Sequence, residues 1–214
     1  MKKTKNHVFF PFSVLTSADF FARRRAVVVS FALAMFVSLA GLAVASPQGG
    51  VVVKGSATIG QNGAVTNINQ NSQKAAINWQ GFSIAPKETV NFHQPNSQAM
   101  ALNRVIGNER SVIAGALNAN GKIFLINSNG VLFSKGSQVN VGGLVASSLN
   151  ISDDDFMAEN FRFSSANNKP AAVVNQGQIN AAPGGYVALM GGAVHNEGLI
   201  TATMGTVSLN SGKK

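Results

Sequence analysis

The chain of 214 residues contains no cysteine, one tryptophan and one tyrosine, and only 12% of its residues are charged. Without cysteine it forms neither disulfide bonds nor thiolate metal sites, so its stability must come from apolar packing and backbone hydrogen bonds. The cations after residue 45 are scattered along the chain; only Lys213 and Lys214 are adjacent, and only Arg162 is flanked directly by aromatic residues. The electrostatic footprint of a nucleic-acid-binding protein is therefore missing.

Groupings typical of catalysis are missing as well. His7, His93 and His195 lie in no metal or triad motif, and we interpret each as a turn or surface residue. A carbohydrate-active β-helix enzyme needs a groove of paired carboxylates or basic residues. The glutamates are instead isolated from one another: Glu88, Glu109, Glu159 and Glu197. The sequence predicts a protein that is not an enzyme and that uses no cofactor or metal.

The first 45 residues form a separate segment. They contain six of the 17 Lys and Arg residues and one of the eight Asp and Glu residues, so the formal charge falls from +9 to +4 without them. An uncharged apolar run over residues 26–45 ends in Ala43, Val44 and Ala45 before Ser46, which is an A-x-A cleavage site. We predict a signal peptide over 1–45 and one domain over 46–214; an uncleaved membrane anchor is the alternative.

An internal repeat indicates the architecture. The recurring residues are Asn175, Gly177 and Ile179, which return as Asn196, Gly198 and Ile200, and Val187 and Leu189, which return as Val207 and Leu209. Each unit of about 20 residues holds two apolar alternations separated by Asn and Gly turns, which is the pattern of a β-solenoid. If the coils stack, Val187, Leu189, Val207 and Leu209 point inward at equivalent positions.

Short apolar alternations separated by Gly, Asn and Pro predict strands through the rest of the domain. We expect the aromatic residues of these strands to pack in the core: Trp79, Phe82, Phe92, Phe124 and Phe133. Asparagine side chains stacked in neighbouring coils can form hydrogen bonds along the solenoid axis.

Residues 152–161 break this pattern. Ser152 followed by Asp155 is a capping signal, and acids in the first turn complement the helix dipole, so we predict a short helix from about Asp153 to Asn160. A calcium or catalytic carboxylate site is the alternative interpretation. Consecutive acids on a helix point in different directions, however, and no second acidic cluster completes a ligand shell.

Four ordered segments resemble the filamentous haemagglutinin N-terminal domain, also called the two-partner secretion domain. They begin at Ala76, Ala101, Gly121 and Val139, and the similarity runs from about Val51 to Val207. The resemblance implies a right-handed parallel β-helix, Sec export, and recognition in the periplasm by the POTRA domains of a TpsB barrel transporter of the Omp85 type. It also implies delivery of an adhesin or similar exoprotein to the cell surface, where a host-cell or cell-surface receptor is a further partner.

One family signature, Asn-Pro-Asn-Gly-Ile, falls on Asn127, Ser128, Asn129, Gly130 and Val131, with serine in place of proline. Two roles stay open for it: a buried asparagine ladder at a corner, or direct contact with the transporter. The family's Asn-Pro-Asn-Leu signature has no clear counterpart, although Asn67 lies in the corresponding region.

The sequence thus predicts the secretion-signal domain of an exported TpsA-type exoprotein, secreted or held at the outer-membrane surface. The alternatives are a stand-alone surface adhesin, a degenerate fragment of a larger haemagglutinin, and a carbohydrate-active β-helix enzyme that lacks its acidic groove.

Overall fold

The computed structural model describes residues 46–165 and 171–212, so the predicted signal peptide lies outside the described residues together with Ala43 and Ala45. One short helix and the following strands make up these ranges: β1 Val51–Lys54, β2 Ala57–Asn62, β3 Val65–Gln70, β4 Lys74–Trp79, β5 Thr89–His93, β6 Met100–Val105, β7 Ser111–Ile113, β8 Ala116–Ala119, β9 Lys122–Asn127, β10 Val131–Phe133, β11 Gln138–Val141, β12 Gly143–Ser147, α1 Asp153–Met157, β13 Ala172–Asn175, β14 Gln178–Ala181, β15 Tyr186–Gly191, β16 Ala193–Asn196, β17 Leu199–Ala202 and β18 Thr206–Ser211.

The strands form three sheets that the chain visits in turn. Sheet 1 has the order β1-β4-β6-β9-β12-β15-β18, sheet 2 the order β7-β10-β13-β16, and sheet 3 the order β2-β3-β5-β8-β11-β14-β17. Neighbouring strands are parallel except for β1 with β4 and β2 with β3, which are antiparallel. The protein is a parallel β-solenoid of about six turns, which confirms the predicted all-β solenoid.

The sequence repeat corresponds to stacked coils. The aligned residues are partners in the ladder: Asn175 with Asn196, Ile179 with Ile200, Val187 with Val207, and Leu189 with Leu209. Leu189 is fully buried, whereas Leu209 in the last coil is 48% exposed. The register is as predicted, but the inner side chains of the last described coil are only half-buried, because β18 is an edge strand with no described strand stacked on it.

The core inside the solenoid contains Trp79, Phe82, Phe92 and Phe133, all 2% exposed or less. Trp79 Nε1 donates a hydrogen bond of 3.0 Å to the Oδ1 atom of the fully buried Asn103, which satisfies both polar groups. These four positions confirm the core prediction.

Phe124 is also buried, but it does not lie in this central core. It is part of a second apolar cluster on the outer face of sheet 1. In β9, Ile123 and Leu125 point inward while Phe124 and Ile126 point outward, so the strand is apolar on both sides. A continuous apolar run is typical of a strand buried on both faces, and here a second layer covers the outer face.

That second layer is the segment between β12 and β13, which we call the excursion (residues 148–165). It closes on itself through antiparallel hydrogen bonds between Asn150 and Ser164. Phe156 from α1 is fully buried and meets Phe124 edge to face, with ring centroids 5.2 Å apart. The excursion therefore packs its apolar side onto sheet 1.

Helix α1 confirms the predicted helix start and corrects its end. The Asp155 N–H donates to Ser152 Oγ at 3.0 Å, and Ser152 Oγ donates to Asp155 Oδ2 at 2.8 Å. The helix ends at Met157 rather than near Asn160, because Glu159 adopts the left-handed conformation with φ of 59°.

The acids of α1 hold the excursion on the solenoid. Arg104 on β6 lies 2.6 Å from Asp153 and donates further hydrogen bonds to Asn150, Asn78 and the Ile151 carbonyl oxygen. Asp154 pairs with Lys54 at 3.3 Å, but this pair is exposed. Within residues 46–165 and 171–212 no three His, Cys, Asp or Glu side chains group as metal ligands. No helix in the described part of the chain is both long and apolar enough to cross a membrane.

Candidate functional site

The signature at residues 127–131 forms the corner between sheets 1 and 2. Asn127 is the last residue of β9 and is fully buried. Its Nδ2 atom donates to the Glu109 carbonyl oxygen at 2.9 Å and to Ser111 Oγ at 3.0 Å. Its Oδ1 atom accepts the Asn129 N–H at 2.9 Å. The side chain thus closes its own turn and also joins this corner to the neighbouring coil.

Gly130 completes the turn in a conformation that other residues rarely adopt. Its φ is 99°, its N–H donates to the Asn127 carbonyl oxygen at 2.9 Å, and a Cβ atom here would lie 2.7 Å from the Ala172 carbonyl oxygen. Glycine is therefore required both for the backbone conformation and for the close approach of the next coil. Val131 then enters β10 with 2% exposure.

Asn129 and Ser128 are the accessible members of the signature. Asn129 is exposed, although its Nδ2 atom donates to the Gly107 carbonyl oxygen at 3.0 Å, and Ser128 is half-buried. The serine that replaces the family's proline thus lies at the outside of the corner. In the folded domain a partner can reach these two residues but not the amide of Asn127.

The asparagine ladder lies elsewhere, on the outer face of sheet 3. In each pair the Nδ2 atom of one coil donates to the Oδ1 atom of the coil before it, at 3.0–3.1 Å, along the series Asn67, Asn91, Asn118, Asn140 and Asn180. The same register position in the next strand is Thr201, which has no amide, so the ladder ends there. Asn127 does not belong to this ladder, since its partners are Ser111 and a backbone carbonyl group.

A sequence signal for this ladder exists. Three four-residue strands share a pattern in which an apolar residue at the second position is followed by asparagine at the third: β8, β11 and β14. Aligning these strands places Asn118, Asn140 and Asn180 in one row. Asn67 is the first member of the row, and its Oδ1 atom also lies 3.4 Å from His93 Nε2. His93 and His195 are both exposed, as predicted.

The predicted first residue of the mature domain lies in a defined place. Ser46 is 7% exposed, and its Oγ atom donates to Glu88 Oε1 at 2.7 Å. The other carboxylate oxygen of Glu88 accepts the Ala85 N–H at 2.8 Å. Glu88, isolated in the sequence, therefore joins the N-terminal end of the domain to the loop before β5.

Comparison with known proteins agrees with this geometry. The TPS secretion domain family matches residues 43–214. The chain belongs to this family. It is the secretion domain of a TpsA-type protein, and recognition by the transporter is the known role of the domain. The family resemblance stated from the sequence is confirmed.

The crystal structure of the secretion domain of HMW1 from Haemophilus influenzae is similar, with a TM-score of 0.76 and 40% identity, covering 78% of this chain and 45% of that one. Two Haemophilus influenzae proteins named heme/hemopexin-binding protein are 37% identical over 175 residues and 44% identical over 119 residues. These alignments cover 78% and 53% of this chain, but only 19% and 13% of the two relatives. The relatives are named for binding or secretion, and none is named for a reaction.

Proposed function

We propose that this TPS domain is recognised by the periplasmic POTRA domains of a TpsB barrel transporter of the Omp85 type while it is still unfolded, and that it folds into the solenoid at the cell surface. The supporting observation is the burial of three of the five residues of the signature at 127–131. Asn127, Gly130 and Val131 are buried in the folded domain. A transporter that contacts these residues must therefore meet the chain before the corner forms.

Folding outside the cell would also drive export in one direction. Each coil presents unpaired backbone N–H and C=O groups to the next coil, and pairing them outside the cell makes return through the transporter unfavourable. The last described coil offers such a ladder in β16, β17 and β18, together with exposed Val207 and Leu209. In longer relatives of this family the following coil would stack there.

The first experiment separates recognition from stability at the corner. Asn127→Ala removes two donated hydrogen bonds and leaves buried partners unsatisfied, so we expect the free energy of unfolding to fall by about 1–3 kcal/mol. The matched control is Ser111→Ala, which removes one of the same hydrogen bonds from the partner's side. Both variants are tested for unfolding in urea and for export through a co-expressed transporter.

Direct recognition predicts that Asn127→Ala loses more export than Ser111→Ala does at equal loss of stability. If both variants lose export in the same proportion to their loss of stability, the proposal that Asn127 contacts the transporter is wrong. The signature then serves only to form the corner. If Asn127→Ala has normal export and normal stability, neither role for this residue survives.

We further propose that the mature domain begins at Ser46, since a signal peptidase accepts small residues such as Ala43 and Ala45 before the cleaved bond. N-terminal sequencing of exported material should start at Ser46, and Ala45→Trp should leave the precursor uncleaved. Ala40→Trp, inside the apolar run, is the control that should not prevent cleavage. Exported protein that starts at Met1 would instead indicate an uncleaved anchor.

A further inference from the structure

A half-open cavity of about 510 Å³ lies between the outer face of sheet 1 and the excursion. Met100, Phe124 and Val145 from β6, β9 and β12 line it on the solenoid side, and Phe161 and Phe163 line it on the excursion side. Small-molecule sites have volumes of about 300–1,000 Å³ and are lined mainly by apolar and aromatic groups. The cavity has both properties.

The aromatic side chains give the cavity flat walls. The rings of Phe124 and Phe161 are stacked at 5.4 Å with an interplanar angle of 26°. Phe161 is still 46% exposed, so an apolar surface is open to solvent beside a rigid stack. An aromatic or aliphatic body inserted here would cover this surface.

The apolar floor is confined to the coils that the excursion covers. The outward residues of β15 are Tyr186, Ala188 and Met190, all of which line the cavity. Their partners one coil later, in β18, are polar: Thr206, Ser208 and Asn210. The apolar surface is therefore specific to this place and does not continue along the whole of sheet 1.

Two charged side chains line the cavity, Lys122 and Glu159. Lys122 Nζ donates to Gln98 Oε1 at 2.7 Å and lies 6.0 Å from the centre of the Tyr186 ring. Among the described residues no carboxylate lies within 4 Å of this ammonium group. Glu159 is paired with Lys74 at 2.7 Å; this hydrogen bond and the charge of Lys74, with a smaller contribution from the charge of Lys122, hold the pKa of Glu159 below its usual value. Because Lys74 holds Glu159, Lys122 is left as the charged group of the lining without an ion-pair partner within 4 Å.

Tyr186 adds a hydrogen-bond donor. Burial, with a smaller contribution from the charge of Glu159, raises the pKa of Tyr186 to about 12. The phenol therefore stays protonated at neutral pH and can donate a hydrogen bond to an anion next to Lys122.

We propose that this cavity binds a small amphipathic anion, whose apolar or aromatic body lies against Phe161 and Phe163 and whose carboxylate or sulfonate group is held by Lys122. Two features support this occupant: the accessible aromatic rings match the body, and the Lys122 ammonium group, which has no carboxylate within 4 Å, matches the charge. This site is independent of recognition by the transporter, because it exists only in the folded domain.

The test uses two fluorescent probes that differ in a single group. 1-Anilinonaphthalene-8-sulfonate carries the anion, and N-phenyl-1-naphthylamine has the same rings without it. We expect the purified folded domain to bind one sulfonate probe per chain, more tightly than the neutral probe, and decanoate to displace it. Lys122→Met should weaken binding of the sulfonate probe about tenfold, as loss of a charged hydrogen bond implies, and leave the neutral probe unchanged.

Ala188→Phe fills the cavity from its floor and should abolish binding of both probes; Ala188→Leu is a smaller filling variant if the first destabilises the domain. Lys135→Met, at an exposed lysine in the turn before β11, is the matched control and should bind like the parent. The doubly substituted Val207→Lys, Leu209→Lys chain tests the exposed end of the solenoid and should also bind like the parent. Equal affinity for the two probes, or binding that survives Ala188→Phe and Ala188→Leu, would overturn the proposal, as would loss of binding in the double lysine variant.

Discussion

The two ends of the described solenoid are built differently. At the first coil, β2 runs antiparallel along β3 over six residue pairs, and β1 runs antiparallel along β4. At the last coil, β16, β17 and β18 each pair on one side only, and large apolar side chains are exposed there: Leu199, Met204, Val207 and Leu209. The first end is closed by a change of strand direction, whereas at the last described coil the parallel ladders are unpaired on one side.

The closed end protects the aromatic side chains of the first coils. Trp79 is 1% exposed, and a Cβ atom at Gly50 would lie 2.5 Å from its ring. The outer cap strand β2 has mostly exposed residues, including Thr58, Gln61 and Asn62. This end also exposes apolar side chains, since Val51, Val53 and Ile59 are 60%, 37% and 36% exposed. Among the described residues, what distinguishes it is that antiparallel strands interrupt the parallel ladder there.

The largest expected effect compares the same register position in two coils. Leu189→Asp places an unpaired charge in the core and should lower the free energy of unfolding by about 3–5 kcal/mol. Leu209→Asp, one coil later and 48% exposed, should cost less than about 1 kcal/mol. Urea unfolding measures both, and similar midpoints for the two variants would contradict the difference between the coils.

A second pair of substitutions tests the closed end. Gly55, between β1 and β2, has φ of 73°, and a Cβ atom there would clash with the Lys74 carbonyl oxygen. Gly55→Ala should therefore cost about 2–3 kcal/mol from the left-handed conformation and the clash together.

Gly63 is the matched control for this prediction. It lies in the turn between β2 and β3 with φ of 56°, but has open space around its Cα atom. Gly63→Ala should cost only about 1 kcal/mol, and Gly63→Asn less, because asparagine tolerates this conformation. Equal costs at Gly55 and Gly63 would mean that the cap is not packed tightly against β4.

The smallest expected effect on stability concerns the open end. Replacing Val207 and Leu209 together by lysine should change the free energy of unfolding by no more than about 0.5 kcal/mol, since both side chains are already exposed. The same change should reduce concentration-dependent self-association, because charged residues block edge-to-edge pairing. Sedimentation velocity over a range of concentrations measures this, with Thr206→Lys as a control on the same strand. Self-association unaffected by the double substitution would show that this end is not adhesive.

Local patterns in the sequence predicted the coils well. Asn175 and Asn196, which are equivalent in the sequence repeat, are partners in the sheet, and the helix begins after Ser152, as the capping signal predicted. These predictions succeeded because periodicity and capping depend on residues close together in the chain. The end of α1 was predicted too late, since the left-handed conformation of Glu159 stops it at Met157.

The candidate site was predicted less completely. The sequence located the corner at residues 127–131, but it did not reveal that the partners of Asn127 are Ser111 and the Glu109 carbonyl group. It also predicted correctly that Phe124 is buried in a core, but not that this core lies on the outer side of β9. An apolar run shows only that the residues of a strand are buried. When both faces of the strand are apolar, the sequence does not show which face points into the solenoid.

The sequence by itself determined that this chain is a solenoid of stacked coils with a corner at each Gly and Asn turn, because those features arise within one repeat. Only the tertiary structure decided which face the excursion covers and which partners the buried Asn127 side chain and the Arg104 side chain meet. These features depend on contacts such as Arg104 with Asp153, which are 49 residues apart in the chain. Their partners are chosen by the register of whole coils, and no local pattern encodes that choice.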